Sequence, residues 1–375
     1  MTVLIDVISE PSRILEIEGV WNTLISKCGK NPLFLSGFVK QFMEFYRSKG
    51  WTPLVLVISA DKMVVGIAPL MTKKKVGVRF VKFLSKSWFS PDFIVDDQYR
   101  EPCITSTLDF LFKNLRCQFV DLTLPVESPN LRILKQKCKA NRIYCYTKRG
   151  RWADMGHCII PTGYTWAELR SSRGKNFRRK FKKIERHLDR AGSWKIIHVE
   201  NGKKESGAIR KILDVERMSW KEAVRTRRGI ETDQDLLMIW KGSQHMTRTE
   251  PDFKWSVCFL ELNNQTLAYS LALQYKEAAF IVKTSYDKRY KRFYPGIYVN
   301  NAAIRELFNK RRIRKIDLLT DLPFHRTWTS RSLPRVKVMI SRKSVLPTIM
   351  GFMFASAYAH ADPLLKKAPF ISDLE

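Results

Sequence analysis

Two spacings of apolar residues organise the chain. Residues 54–58 are an unbroken apolar run (Leu-Val-Leu-Val-Ile), Ala60-Asp61-Lys62 interrupts it, and residues 63–68 resume it. That pattern predicts two strands joined by a tight turn. A helix is expected near residues 104–115 and a strand at 119–122. The same order returns further on. Strands are predicted at 255–260 and 266–273 around an Asn263-Asn264-Gln265 turn, followed by a strand at 278–283, a helix over 297–309 and a strand at 315–319. Hairpin, helix and strand thus occur twice, about 200 residues apart, as an internal duplication would leave them. Between the two copies, residues 164–190 and 205–223 combine helical spacing with basic character. Phe177, Phe181, Ile184 and Leu188 fall four, three and four residues apart, forming one apolar stripe of a helix.

The length and composition turn these elements into domains. With 45% hydrophobic residues among 375 there is material for a packed core. At roughly 100–200 residues per domain the length predicts two. We place them at residues 1–155 and 156–344, with a tail at 345–375 packing on the body. The apolar part of that tail is broken by Pro347 and Gly351 and is shorter than the about 20 residues a spanning helix needs. A surface-seeking helix on anionic lipid is the alternative reading. The first residues have no basic segment leading into an apolar one, so no signal peptide is expected. The seven cysteines contain no C-x-x-C pair and the six histidines no H-x-x-x-H. No zinc site, other metal or disulfide framework is expected, and the thiols read as reduced. The expected location is cytoplasmic, with a peripheral position at a membrane as the alternative.

Charge changes the picture most. Lys and Arg number 67 against 36 Asp and Glu, a net charge of +31, which calls for an anionic partner. Residues 173–190 hold nine basic and two acidic side chains around the apolar stripe. They read either as a solvated helix face or as a grip on phosphates. A second feature is Tyr286-Asp287-Lys288-Arg289-Tyr290-Lys291-Arg292-Phe293-Tyr294-Pro295-Gly296, which leads from a strand into a helix. A helix opening at Pro295-Gly296 exposes unpaired N–H groups, an anion site that the four cations upstream would reinforce. The alternative is a surface loop before a Pro-initiated helix. The third is Asp317 to Trp328, where Asp321 and His325 follow a strand's carboxyl end and are candidate proton acceptors. Its alternative is a turn cap and a surface histidine. P-loop, hydrolase-elbow and dinucleotide motifs are missing from the sequence.

Taken in order, these segments resemble the GNAT-like acyltransferases of the cellulose-biosynthesis CelD type, relatives of the FemABX aminoacyl transferases. The resemblance runs through Gly66-Ile67-Ala68-Pro69-Leu70, Ser90-Pro91-Asp92, Phe177-Arg178-Arg179, Ser219-Trp220-Lys221, Tyr286-Asp287 with Tyr294-Pro295-Gly296, and Asp317, Asp321 and Trp328. It implies an α/β fold of two tandem GNAT-like domains, each a mixed β-sheet flanked by helices. The implied activity is transfer of an acyl group to an amine or hydroxyl, in polysaccharide or cell-envelope building. One departure stands out. The family's Arg-Gly-Asp-x-x-Tyr-Lys after the last strand is here altered, with Thr320 before Asp321 and Phe324-His325 in place of Tyr-Lys.

On this reading acetyl-CoA or another acyl-CoA is the donor, bound by Arg289, Lys291, Arg292, Pro295, Gly296 and Ile297. The acceptor is an amine-bearing sugar or peptide met by Trp220, Lys221, Trp328 and Arg178. Asp321 or His325 deprotonates it, a backbone N–H between Lys283 and Tyr286 holds the oxyanion, and Tyr286 protonates the departing thiolate. Two alternatives remain: a FemABX-like transferase whose partner is aminoacyl-tRNA, with helix 173–190 on the tRNA backbone, and a non-catalytic protein that binds nucleic acid or an anionic membrane surface.

Overall fold

The computed structural model describes residues 3–28, 31–75, 77–86, 89–149, 156–201, 207–219 and 232–342. The first half runs β1 (Val3–Ile8), α1 (Pro11–Glu16), α2 (Glu18–Lys27), α3 (Ser36–Ser48), β2 (Thr52–Ala60), β3 (Met63–Lys75), β4 (Val78–Phe83), β5 (Ile94–Val95), α4 (Arg100–Asp109), β6 (Phe119–Pro125), α5 (Pro129–Ala140) and β7 (Tyr144–Arg149). The second runs β8 (Gly156–Pro161), α6 (Trp166–Ser172), α7 (Gly174–Ala191), β9 (Trp194–Glu200), α8 (Ala208–Arg217), α9 (Thr232–Thr249), β10 (Phe253–Leu262), β11 (Gln265–Tyr275), β12 (Ala278–Tyr286), α10 (Pro295–Asn309), β13 (Lys315–Asp317) and β14 (Ser332–Ser341).

The described residues divide into two compact units, one of those up to 156 with 322–324 and 333–342, the other of those within 157–321 with 325–332. In the first, the β2–β3 hairpin turns through Asp61 and Lys62, both at positive φ, as a two-residue hairpin loop requires. Pro69 sits inside β3 between Ile67, which pairs β5, and Leu70, which pairs β4, so its missing N–H leaves no gap in either ladder. β4 and β6 are parallel, and β14 lies between β6 and β7, antiparallel to both. Leu56, Leu70 and Val81 of the sheet meet Ile104 and Leu108 of α4 and Leu131 and Leu134 of α5.

β14 departs from the expected boundary, which kept residues up to 344 with the second domain. Val338 and Ile340 are buried in the first unit's core, and Val336 packs against it. Each buried side chain of this size stabilises by roughly 1.5–3 kcal/mol, so the strand goes where its apolar face is covered. The proposed tail, residues 345–375, lies outside the described residues.

The second unit is built on a sheet in the order β9, β10, β11, β12, β13, β8, antiparallel except where β12 meets β13. Its β10–β11 hairpin turns at Asn263 and Asn264, again at positive φ. Consecutive β11 residues show how the helices are layered. The Tyr269 hydroxyl bonds Glu216 on α8, whereas Ser270 bonds Asn300 on α10, so the two helices cover opposite faces. The stripe of α7 is buried as expected, Phe177, Phe181, Ile184 and Leu188 all facing inward. Among the described residues no helix is long and apolar enough to cross a membrane.

Candidate active site

β12 and β13 run side by side for only three positions, Ala278 with Lys315, Ala279 with Ile316 and Phe280 with Asp317. β12 then continues to Tyr286 while the chain after Asp317 leaves it, so the expected strand 315–319 ends early. Asp317 itself causes the departure. Its Oδ1 accepts the N–H of Leu319 at 2.7 Å, with Leu319 in the left-handed region. The segment then follows β8, with Leu318 donating to the Cys158 carbonyl and Cys158 to that of Thr320. Among the described residues β12 has no strand neighbour on that side beyond Phe280, so its carboxyl half is an unpaired edge.

Two features of β12 mark that edge. Its register with β11 jumps from Lys283–Leu271 to Ile281–Ala272, leaving Val282 as an extra residue. Such a bulge turns backbone groups away from the ladder. At its far end, Asp287 caps a 3-10 turn, Lys288–Phe293, by accepting the Arg289 N–H at 2.9 Å and that residue's guanidinium at 2.6–3.1 Å. Lys288, Arg289, Lys291 and Arg292 are all exposed on this turn, and Arg292 lies 4.7 Å over the Phe293 ring. Tyr294 adopts the left-handed conformation, uncommon for a bulky residue, and α10 starts at Pro295.

The first turn of α10 offers fewer donors than the sequence suggests. Pro295 has no N–H, and Ile297 and Tyr298 both donate to the Tyr294 carbonyl at 3.1 Å. The Gly296 N–H alone of that turn bonds none of the described residues. Gly296 is also where the helix meets β12, because a Cβ there would stand 2.9 Å from Cδ1 of Tyr286. Pro295, Gly296 and Ile297 are buried, as is Tyr286. An anion at this helix would therefore meet one backbone donor and the side chains of the preceding turn.

The expected proton acceptors have other duties. Asp321 accepts Nε and Nη2 of Arg326 at 2.8 and 3.0 Å, the Ser332 hydroxyl at 2.6 Å and the Cys158 thiol at 3.3 Å. The Arg326 fork holds its carboxyl down at about 2, so it ties residues 321–332 together and takes up a proton poorly. His325 is buried, its Nδ1 2.8 Å from the Thr320 carbonyl, and burial pushes its imidazole down to about 4. Trp328 is wholly buried, with Nε1 donating to Asn301 at 3.2 Å, and so packs the interior rather than offering a face to an acceptor. Arg178 is half-buried on α7, its guanidinium 3.4 Å from the Ser171 carbonyl. Trp220 and Lys221 lie outside the described residues.

Sequence reasoning overlooked two buried clusters. Glu216 on α8 accepts the Tyr269 hydroxyl at 2.6 Å, and Lys283 on β12 places its ammonium 3.5 Å away. A signal existed: Glu216 falls on the buried stripe of α8 with Ala208, Ile212 and Val215, where an apolar residue is expected. The other is His157 with Asp317, Nδ1 to Oδ2 at 2.7 Å. These residues stand 160 positions apart in sequence.

A family model described as an acetyltransferase (GNAT) domain matches residues 175–326, the span holding α7, β12 and the cationic turn. FemX shares 12% identity with the chain at a TM-score of 0.58, over 90% of this chain and 97% of FemX. The fold is that of two GNAT-like units in tandem. The C-terminal domain of a putative lysylphosphatidylglycerol synthetase from Agrobacterium fabrum matches at 8% identity and a TM-score of 0.55, over 92% and 96% of the two chains. A conserved protein of unknown function from Bacteroides thetaiotaomicron VPI-5482 does so at 11% and 0.55, over 86% and 97%. No curated protein matches the sequence. At these identities the likeness is one of fold, and the GNAT model alone carries a reaction class with it.

Proposed function

We propose that the protein is an acyltransferase moving an acyl group from acyl-CoA, acetyl-CoA being the simplest, to an amine or hydroxyl of a sugar or peptide acceptor. The observation that carries the reading is the unpaired edge of β12, with a bulge at Val282 and a four-cation turn where the strand ends. A thioester is already activated, so catalysis is mostly positioning and stabilisation of the developing oxyanion. The donor's pyrophosphate lies on Lys288, Arg289, Lys291 and Arg292 with the Gly296 N–H. The thioester carbonyl sits at the bulge, where a backbone N–H of Val282 or Lys283 receives the oxyanion. Tyr286, packed on Gly296, protonates the leaving thiolate. The acceptor arrives over the face covered by α8.

Incubation with acetyl-CoA and amine acceptors, followed by thiol release, tests this. Release that requires protein and falls at least tenfold in an Arg289→Ala/Arg292→Ala variant is expected. Turnover indifferent to both cations would overturn the placement of the donor.

One observation favours a second donor. Lys175, Arg179, Lys182, Lys183, Arg186 and Arg190 of α7 are exposed and pair with no carboxylate among the described residues. α7 packs against the cationic turn, and the Tyr298 hydroxyl of α10 bonds Glu185 on α7 at 3.1 Å. Such a surface suits the backbone of an aminoacyl-tRNA, whose binding would weaken steeply with salt.

A further inference from the structure

We propose that His157, oriented by Asp317, is the catalytic residue that takes the proton from the acceptor nucleophile, an inference that rests on the acyl-transfer reading above. Both residues are buried, 7% and 5% exposed, and their side chains are joined Nδ1 to Oδ2 at 2.7 Å. The other carboxylate oxygen of Asp317 is occupied by the Leu319 N–H at 2.7 Å, so the group is anchored at both ends. A carboxylate only accepts, which puts the imidazole proton on Nδ1 and leaves the lone pair on Nε2. Nε2 has no partner among the described residues.

The strand registers place His157 level with the unpaired edge of β12. Ile159 of β8 pairs Asp317, which pairs Phe280 of β12. Two residues further along, His157 and Val282 are therefore level in register, with the Leu318–Thr320 segment, still bonded to Cys158, between their strands. Faces agree as well. Phe280 pairs Leu273, and Leu273 shares its side of β11 with Tyr269, the partner of Glu216 on α8. Asp317, Ile159 and His157 follow onto that same side. Ser285 pairs Tyr269 and lies there too, its hydroxyl buried and without a hydrogen-bond partner among the described residues. A buried hydroxyl left unpaired costs free energy unless something bonds it, and an acceptor's polar group would do so.

The step balances within acyl transfer. As the acceptor nitrogen or oxygen bonds the thioester carbon, its proton passes to Nε2, and Asp317 holds the imidazolium. The carbon–sulfur bond then breaks, Tyr286 protonates the departing thiolate to give the thiol of free CoA, and the proton gained by His157 passes through solvent to restore the Tyr286 hydroxyl. Asp317 is the positioning residue.

Hydroxylamine separates this role from a structural one, because it is uncharged at neutral pH and attacks thioesters without a base, whereas water needs one. Thiol release from acetyl-CoA above the protein-free rate would be followed in water alone and with hydroxylamine, for wild type, His157→Gln and Asp317→Asn. The expected result is a loss of tenfold or more in hydrolysis for His157→Gln, with hydroxylamine turnover and CoA affinity within twofold of wild type. Asp317→Asn shows the same split, less deeply, and keeps the proposal testable should His157→Gln fail to fold. Equal hydrolysis by wild type and both variants, or parallel loss of both reactions, overturns the role of the pair. Wild type releasing thiol no faster than the protein-free mixture, even with hydroxylamine, overturns the transferase reading itself, and this inference with it.

Discussion

The ring of Tyr286 lies against Gly296 so closely that a Cβ on the glycine would stand 2.9 Å from Cδ1. The last residue of β12 and the first turn of α10 are thereby in direct contact, one on each side of the cationic turn. In Gly296→Ala the gain in helix propensity, about 1 kcal/mol, is set against overpacking of about 1–3 kcal/mol. The second effect wins, since the ring has the strand behind it. The variant is expected to lose about 1 kcal/mol of stability in urea unfolding and to bind acetyl-CoA at least several-fold more weakly.

The Asp321 carboxyl is held at about 2 by the Arg326 fork, well below its value in an unfolded chain. The unfolded state therefore binds a proton first as pH falls, and stability present above about pH 4 drains away towards pH 2. Arg326 is 59% exposed, so solvent screening limits the effect to about 1 kcal/mol. Unfolding midpoints of wild type should fall more steeply than those of Asp321→Asn across that window. Parallel curves would mean the pair contributes nothing.

All seven cysteines are free thiols. Burial pushes the thiols of Cys103, Cys117 and Cys158 up to about 12, and raises that of Cys258. Cys145 moves the other way because Cys138 donates a hydrogen bond to it. Thiolate is the reactive form. Native protein at pH 8 should thus alkylate at Cys28 and Cys145, the two partly exposed thiols, well before the other five, as mass spectrometry of iodoacetamide-treated samples would show.

On α7, Lys175, Arg179, Lys182 and Arg186 fall at four, three and four residues apart, away from the buried stripe. Replacing all four by Gln should leave the melting temperature within a few degrees, since none supports the core. If a polyanion lies here, the slope of log affinity for bulk tRNA against log salt should drop by about one per lost phosphate contact. An unchanged slope would remove the helix from any such interface.

Local period made much of this architecture readable. The stripe Phe177 to Leu188 needs nothing beyond its own helix, and the hairpins at Asp61-Lys62 and Asn263-Asn264 announce themselves by polar residues between apolar runs. Partners chosen across space were not readable. Nothing near Val336 to Ile340 says that they pair with residues some 200 positions earlier, and both edges of β14 are settled by which core covers them. The Glu216–Tyr269–Lys283 cluster and the His157–Asp317 pair join three elements and two, respectively, that only the sheet order brings together. Asp321 and His325 were legible as polar residues after a strand, but their duties depend on Arg326, Ser332 and burial, which spacing does not reveal.

The central claim is that the turn Lys288–Phe293 and the start of α10 hold the donor's phosphates. Titration calorimetry of acetyl-CoA into wild type and Lys288→Ala/Arg292→Ala, at low and at moderate salt, tests it most directly. A charged hydrogen bond to phosphate is worth roughly 1.5–3 kcal/mol. The account predicts binding by wild type at both salts and a loss of at least tenfold in the variant. Equal affinity in the two proteins, or no binding of acetyl-CoA by wild type, would contradict it.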